Sequence, residues 1–393
     1  MTQGALQGLR LIEMGQLIAG PFCGQLMADH GAEVIKIEPP KVGDPMRAWG
    51  RGKPVWFPVV ARNKKCITLD LRSVKGQDIV RRLAGSSDFL LENFRPGTME
   101  KWGLGYDALR AINRGIIMIR VSGFGQTGPY SKRAGYGSIG EAMGGMRNLA
   151  GDPSTPPSRV GLSIGDSLAA TFACLGALMA LNHRHNTGDG QIVDSAIYEA
   201  VLAMMESTVP EYTEAGVIRE RTGSILPKIA PSNVYPCSDG EILIGANQDS
   251  VWKRMAEAMG RPELGEDARF ASHVARGDNQ TEIDALIGEW TKGFAANDLL
   301  ALLEEKGVPA GKIFKAPDMV EDPQFIARQS LVKVAHPDFA NLVMQSVFPK
   351  LSATPGAVDW SGPELGAHNE EVYGGILGMG RAEIAALTDE GVI

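Results

Sequence analysis

Residues 8–40 read GLRLIEMGQLIAGPFCGQLMADHGAEVIKIEPP, and three changes of texture within them set the fold class. Residues 9–14 are mostly apolar, residues 19–30 have helical character, and residues 32–37 form a second short apolar run ending at Glu38, Pro39 and Pro40. A strand, a helix and a strand in that order make a crossover unit, which joins parallel strands in a right-handed sense. The pattern recurs as strand 66–71, helix 76–84, strand 89–92, helix 106–112 and strand 116–122. The expected class is therefore α/β, with an open, mainly parallel sheet in a large domain.

Outward from this core, residues 123–157 are rich in glycine and proline and only weakly periodic. Loops of this length inside a domain usually carry function. Asp166 then opens a helix running to Leu181 that is apolar nearly all round, a pattern that predicts burial on every side. Strand 191–196 and helix 197–212 follow. Residues 217–236, interrupted by Pro227, Pro231 and Pro236, read as a linker. Strand 241–245, helices 251–259, 281–294 and 296–306, and strand 311–314 read as a smaller α/β domain. The predicted division is a large domain begun by residues 1–216, a linker at 217–236, a small domain at 237–316, and a second linker with a return to the large domain over 317–393, closed by helix 381–387.

A chain of 393 residues exceeds what one hydrophobic core fills, in keeping with two domains. Its net charge of -7 speaks against a nucleic-acid partner, since binding a phosphate backbone needs a concentrated basic surface. No stretch reads as long and apolar enough to cross a bilayer, and the opening residues lack an export signal. Cys23, Cys66, Cys174 and Cys237 lack metal spacing and read as reduced thiols of a cytoplasmic protein. The six histidines show no metal-ligand pattern either.

The first crossover invites a dinucleotide-binding reading, and with it a nicotinamide-dependent oxidoreductase. Its turn, Gly15-Gln16-Leu17-Ile18-Ala19-Gly20-Pro21, lacks the spaced glycines that let a backbone approach a pyrophosphate. The helix start near Gly20 is still suited to face a ligand.

The same segment, with GDPMRAWG (43–50), RNKKCITLDL (62–71), ENFRPGTMEKWGLGY (92–106), VSGFGQTGPYSKRAGY (121–136), GLSIGDSLAATFACLGALMAL (161–181) and TGDGQIVDSAIYEAVL (187–202), resembles the family III CoA-transferases. That group includes formyl-CoA and carnitine-type transferases and a branch of α-methylacyl-CoA racemases. The resemblance covers essentially the whole chain. It implies a homodimer in which each chain threads through the ring of the other, no permanently bound cofactor, and acyl-CoA and a free carboxylic acid as substrates. It also implies that Asp166 is the nucleophile and that Ile18, Lys64, Lys65, Asn93, Phe94, Arg95, Lys101, Arg133 and Tyr136 belong to the CoA site.

Chemistry supports the aspartate independently. A carboxylate that attacks a thioester gives a mixed anhydride and free thiolate, splitting one hard exchange into easier steps. Such a site needs an accessible carboxylate, peptide N–H donors and little water, and Gly165-Asp166-Ser167 at a loop-to-helix junction offers these. The competing reading of Asp166 is an ordinary helix cap.

Three departures shape the expectation. Pro39 stands where formyl-CoA transferase has an arginine, and Gly245-Ala246-Asn247-Gln248 stands where it has a mobile tetraglycine loop. That segment and Thr222-Gly223-Ser224 look nearer to relatives acting on succinyl-CoA and other dicarboxylates, whose distal carboxylate calls for a cation such as Arg47, Arg51 or Arg159. A racemase needs a second base, which that branch supplies as a histidine after Ala-Gly. Ala134-Gly135 is here followed by Tyr136, and a phenol of ordinary pKa near ~10 is a poor base at neutral pH.

Overall fold

Strands with apolar side chains on both faces need cover on both faces, and that requirement organises the larger unit. In the computed structural model, which describes residues 4–393, this unit comprises residues up to Met146, Gly161–Gly216 and Gln324–Ile393. Its sheet has six parallel strands: β1 (Arg10–Glu13), β2 (Glu33–Glu38), β3 (Lys64–Thr68), β4 (Phe89–Glu92), β5 (Ile117–Ser122) and β6 (Ile192–Ala196). Their order is β3-β2-β1-β4-β5-β6. The chain builds outward from β1 to β3, then returns to place β4 on the other side of β1. This is the strand order of dinucleotide-binding folds, although the glycine pattern of such sites is missing.

Side chains alternate between the two faces. Ile12, Ile35, Leu90 and Met118 enter one core, closed by α2 (Val74–Ala84), α3 (Tyr106–Ile112) and the C-terminal residues. Leu11, Val34, Leu91 and Ile119 enter the other, closed by α1 (Ala19–Asp29) and by α5 (Ile164–Thr187), which follows the short α4 (Gly137–Met143). Ser73 starts α2 by accepting the Gly76 N–H at 3.0 Å.

Three sequence expectations change here. At 24 residues, with an 18-residue window of mean hydropathy 1.7, α5 is long and apolar enough to cross a membrane by length and composition. It is also not buried all round. Ala169, Ala170, Ala173, Ala177 and Ala180 form the stripe that meets the sheet and α1, whereas Leu175, Leu178 and Met179 point outward and stay exposed in the single chain. Small residues let the helix lie close to its neighbours, and the bulky apolar ones are left over. The helix expected over 197–212 is two helices, α6 (Ile197–Leu202) and a second over Thr208–Ala215. Glu206 between them has φ of 49°, outside the helical region, and Pro210 falls in the first turn of the second helix, where a missing N–H is tolerated.

The smaller unit, Arg147–Val160 with Val217–Pro323, has an antiparallel sheet in the order β7 (Ser232–Pro236), β8 (Glu241–Gly245), β9 (Ala310–Lys312). The stretch read as linker thus ends in a strand, and residues 147–160 go with this unit. Its helices close over Trp252, Phe270, Ile283 and Leu299. Arg276 is fully buried and donates to the carbonyls of Ala230 (3.1 Å), Phe270 (2.9 Å) and Asn247 (2.8 Å).

Within the large unit the C-terminal residues return to the β3 side. His368 N–H donates to the Cys66 carbonyl (3.0 Å), Asn369 Oδ1 accepts from Thr68 N–H (2.9 Å), and Tyr373 donates its hydroxyl to the Thr68 carbonyl (2.5 Å). An open strand edge is thereby covered. Arg62 and Asn63 anchor the same return. Arg62 pairs with buried Asp29 (2.6 Å) and donates to the carbonyls of Gln345 and Ser346, while Asn63 donates to Asp29 (2.9 Å) and to the Ala357 carbonyl (2.8 Å). Replacing Arg62 by Met leaves Asp29 buried without its cation. The expected result is a loss of about 3–5 kcal/mol in urea denaturation, with proteolysis beginning in residues 340–360.

Candidate active site

The turn between β1 and α1 holds its shape through side chains that come from elsewhere. Gly15 and Gly20 approach so closely that a Cβ on either would lie 3.2 Å from the other's Cα, and the Asn93 amide fills the remaining space. Asn93 accepts from the Gln16 N–H through Oδ1 and donates to the Gln16 carbonyl through Nδ2, both at 2.9 Å. Leu17 has φ of 64°, a left-handed conformation unusual for a leucine, and its N–H is accepted by the Asp44 carboxylate at 3.2 Å. Lys36 donates to the Gly15 carbonyl at 3.0 Å. Ile18 occupies the N-cap position of α1 and packs on the cluster around Met46 and Phe57.

Below this turn lies a set of buried charges. Glu13 receives Lys36 (3.1 Å) on one oxygen and Lys64 (2.7 Å) on the other; Lys36 also meets Asp44 (2.9 Å). The four side chains are fully or almost fully buried. Gly24 faces the group from α1, and a Cβ there would come within 1.8 Å of Glu13 Oε2. Burial opposes the charge on Lys36, but Glu13, Asp44 and Glu38 outweigh it and hold the ammonium above its ordinary pKa.

Beside the turn, at the ends of β1 to β4, opens a cavity of about 710 Å3. It sits where the strand order reverses, the place open α/β sheets use for ligands. Met14, Gln16, Ile37, Leu69, Phe94 and Trp102 are among the residues that line it, with Phe94 and Trp102 packed edge to face at 5.2 Å. Lys41, Arg72 and Arg95 contribute exposed cations. Of the expected CoA-site residues, Phe94 and Arg95 line this cavity, and Asn93 and Ile18 flank it. Lys41 and Arg72 were not singled out from the sequence. Their signal was positional, because Lys41 follows the C-terminal end of β2 and Arg72 that of β3.

Other expected residues lie elsewhere. Lys64 has no exposed side-chain surface and donates to Glu13 and to the Pro21 carbonyl, both at 2.7 Å, so its ammonium is not presented to a ligand. Lys65 is paired with Glu33 (2.5 Å) and Glu371 (2.7 Å). Lys101 is exposed on the short helix Thr98–Lys101. Arg133 stacks over the Tyr130 ring at 3.7 Å, and Tyr136, 71% exposed, is the N-cap residue of α4. Among the arginines considered for a second carboxylate, Arg47 is committed to Glu38 (2.7 Å) and stacks on Phe57.

Asp166 does not cap α5; Ser163 holds that position, and Asp166 is the third helical residue. It is half-buried and does not line the cavity described above. Its carboxylate rests against the backbone of Gly137, where a Cβ would lie 2.2 Å from Oδ2. Gly165, just before it, would meet the Gly137 carbonyl and the Glu141 side chain at 3.1 and 3.2 Å, and its N–H points to Glu141 Oε1 at 3.5 Å. Small residues at 137 and 165 therefore admit the carboxylate to this corner. At the start of a 24-residue helix the helix dipole favours negative charge.

Residues 6–369 match the model of CoA-transferase family III. The chain belongs to that family. It is 58% identical, over 99% of its own length and 98% of the relative's, to a succinyl-CoA--D-citramalate CoA-transferase of Chloroflexus aurantiacus. It is 38% identical, with 99% and 98% covered, to the beta subunit of a succinyl-CoA--L-malate CoA-transferase from the same organism. Among solved structures it superposes on a CAIB/BAIF family protein from Brucella suis with a TM-score of 0.86 at 34% identity, over 95% of this chain and 100% of the other. The protein is thus a family III CoA-transferase.

Two substitutions in the transferase separate support from chemistry. Lys64→Met is expected to lower stability by about 3–5 kcal/mol in urea melts, by leaving Glu13 short of a cation, while kcat of the folded enzyme stays unchanged. Gly137→Ala is expected to displace Asp166 and lower kcat by roughly a hundredfold at near-native melting temperature, measured in steady-state assays.

Proposed function

We propose that this transferase moves CoA from succinyl-CoA to a small hydroxy dicarboxylate of the citramalate type, with Asp166 as the covalent nucleophile. The observation that carries the substrate choice is the 58% identity, end to end, with the D-citramalate enzyme. The position of Asp166 in a corner kept open by Gly137 and Gly165 supports the nucleophile.

CoA is read into the crevice at the ends of β1 to β4. Lys41, Arg72 and Arg95 stand at its rim for the phosphates, and the apolar floor at Phe94 and Trp102 suits the adenine ring. The Asp166 carboxylate attacks the succinyl carbonyl, the carbon–sulfur bond breaks, and CoA leaves as thiolate. The thiolate then attacks the aspartyl carbonyl of the anhydride and releases succinate. The acceptor carboxylate attacks the aspartyl thioester, forming a second anhydride and freeing the thiolate again. Attack of the thiolate on the acceptor's carbonyl gives the new acyl-CoA and restores Asp166. No proton or electron is gained or lost overall. Arg47 is paired with Glu38, and exposed Arg51 of the same unit is the cation read for the distal carboxylate.

The working enzyme is read as a homodimer. Leu175, Leu178 and Met179 project from α5 as an apolar surface of the kind a partner covers, and size-exclusion chromatography with light scattering reports the state directly.

Asp166→Ala is expected to lower transfer roughly a thousandfold or more. Incubating the wild-type enzyme with succinyl-CoA and then hydroxylamine is expected to yield a hydroxamate that peptide mass spectrometry assigns to Asp166. Full activity in Asp166→Ala, or a hydroxamate at another residue, would replace this mechanism. Deuterium exchange at the α-carbon of an acyl-CoA without CoA transfer would return the racemase reading.

A further inference from the structure

We propose that Asp44, buried and out of the crevice itself, is a positioning residue for the acyl-CoA: it latches the β1–α1 turn to the loop after β2 and so sets the distance between two walls of the cavity. The inference rests on reading that crevice as the CoA site. Gln16 lines the cavity from the turn, and Gly43 and Pro45 line it from the loop. Asp44 lies between Gly43 and Pro45 with its side chain fully buried, directed away from the lumen into the ion cluster.

The side-chain contacts of Asp44 make the latch. Its carboxylate accepts the Leu17 N–H from the turn at 3.2 Å and the Met46 N–H from its own loop at 2.9 Å, and it meets the Lys36 ammonium at 2.9 Å. Its own N–H donates to Glu38 Oε2 at 2.9 Å, and Glu38 is held by Arg47 through two bonds of 2.7 Å. Lys36 in turn binds the Gly15 carbonyl. One carboxylate therefore reaches the turn at Leu17 directly and at Gly15 through Lys36, while Asn93 fixes Gln16 between them. The left-handed Leu17 needs such a restraint, since a leucine leaves that conformation at a gain in energy once its N–H is released.

The charge and the acceptor oxygens have separable effects. Asp44→Asn keeps an oxygen for the Leu17 and Met46 N–H groups and removes the charge beside Lys36. Asp44→Ala removes both. In the folded full-length enzyme, KM for succinyl-CoA should rise about tenfold or more in Asp44→Ala and by a smaller factor in Asp44→Asn, with KM for the acceptor acid unchanged in both. Amide hydrogen exchange should accelerate at residues 15–18 and not along β4. A variant that only lowers the folded fraction would scale kcat and leave both KM values alone, which overturns the proposal. Should Asp44→Ala not fold, Asp44→Asn decides, and an unchanged donor KM with unchanged exchange at Leu17 overturns it too. Isothermal titration of the wild-type enzyme with CoA keeps the two layers apart. Absence of binding removes the crevice reading together with the latch, whereas binding with an unaltered KM in the variants removes the latch alone.

Discussion

Six buried or half-buried charges, from the end of β1, from β2 and the loop after it, and from the start of β3, hold this side of the sheet together. Glu13, Glu38 and Asp44 are balanced by Lys36, Lys64 and Arg47. Ions taken out of water at this depth cost several kcal/mol each unless partners and hydrogen bonds surround them, so the set is stable only when complete. That completeness ties three strand ends and two loops into one rigid frame. Burial pulls the Lys64 ammonium below its ordinary pKa and Glu13 offsets this only in part, whereas Lys36, with more carboxylates around it, moves the other way. The two lysines differ because one is surrounded by acids and the other meets a single one.

On the proposed reading the transferase separates two tasks on this frame. The crevice at the switch point offers apolar walls and peripheral cations, as an anionic nucleotide with a long thioester arm requires. The carboxylate proposed as nucleophile sits instead on α5, in a corner that Gly137 and Gly165 keep open. The alanine stripe of α5 sets that helix close to α1, which begins at the latched turn. Both tasks thereby depend on close backbone approach, and small residues provide it at each point.

Much of the fold was legible because its signals are local. Apolar runs of strand length separated by amphipathic stretches specify a parallel sheet covered on both faces, and β1, β2, β4 and β5 fall within a residue or two of where the sequence places them. The dense motifs around GDPMR and RNKK looked like ligand-binding blocks. In the structure much of their polarity is spent internally: Asp44, Arg47, Arg62, Asn63 and Lys64 all bind other parts of the chain. A sequence shows that a residue is charged but not whether its partner is a substrate or another side chain.

The sequence by itself determined the α/β class, the family and the helix that bears Asp166, since periodicity, ordered motifs and a long apolar run survive without coordinates. Only the tertiary structure decided which lysine is buried and which arginines reach the crevice. It also decided that Asp166 is the third residue of its helix rather than the cap, and that part of an apolar helix faces outward. Each of these depends on what lies opposite a side chain across a strand order that reverses at β1, and that order arises from contacts between residues far apart in the chain.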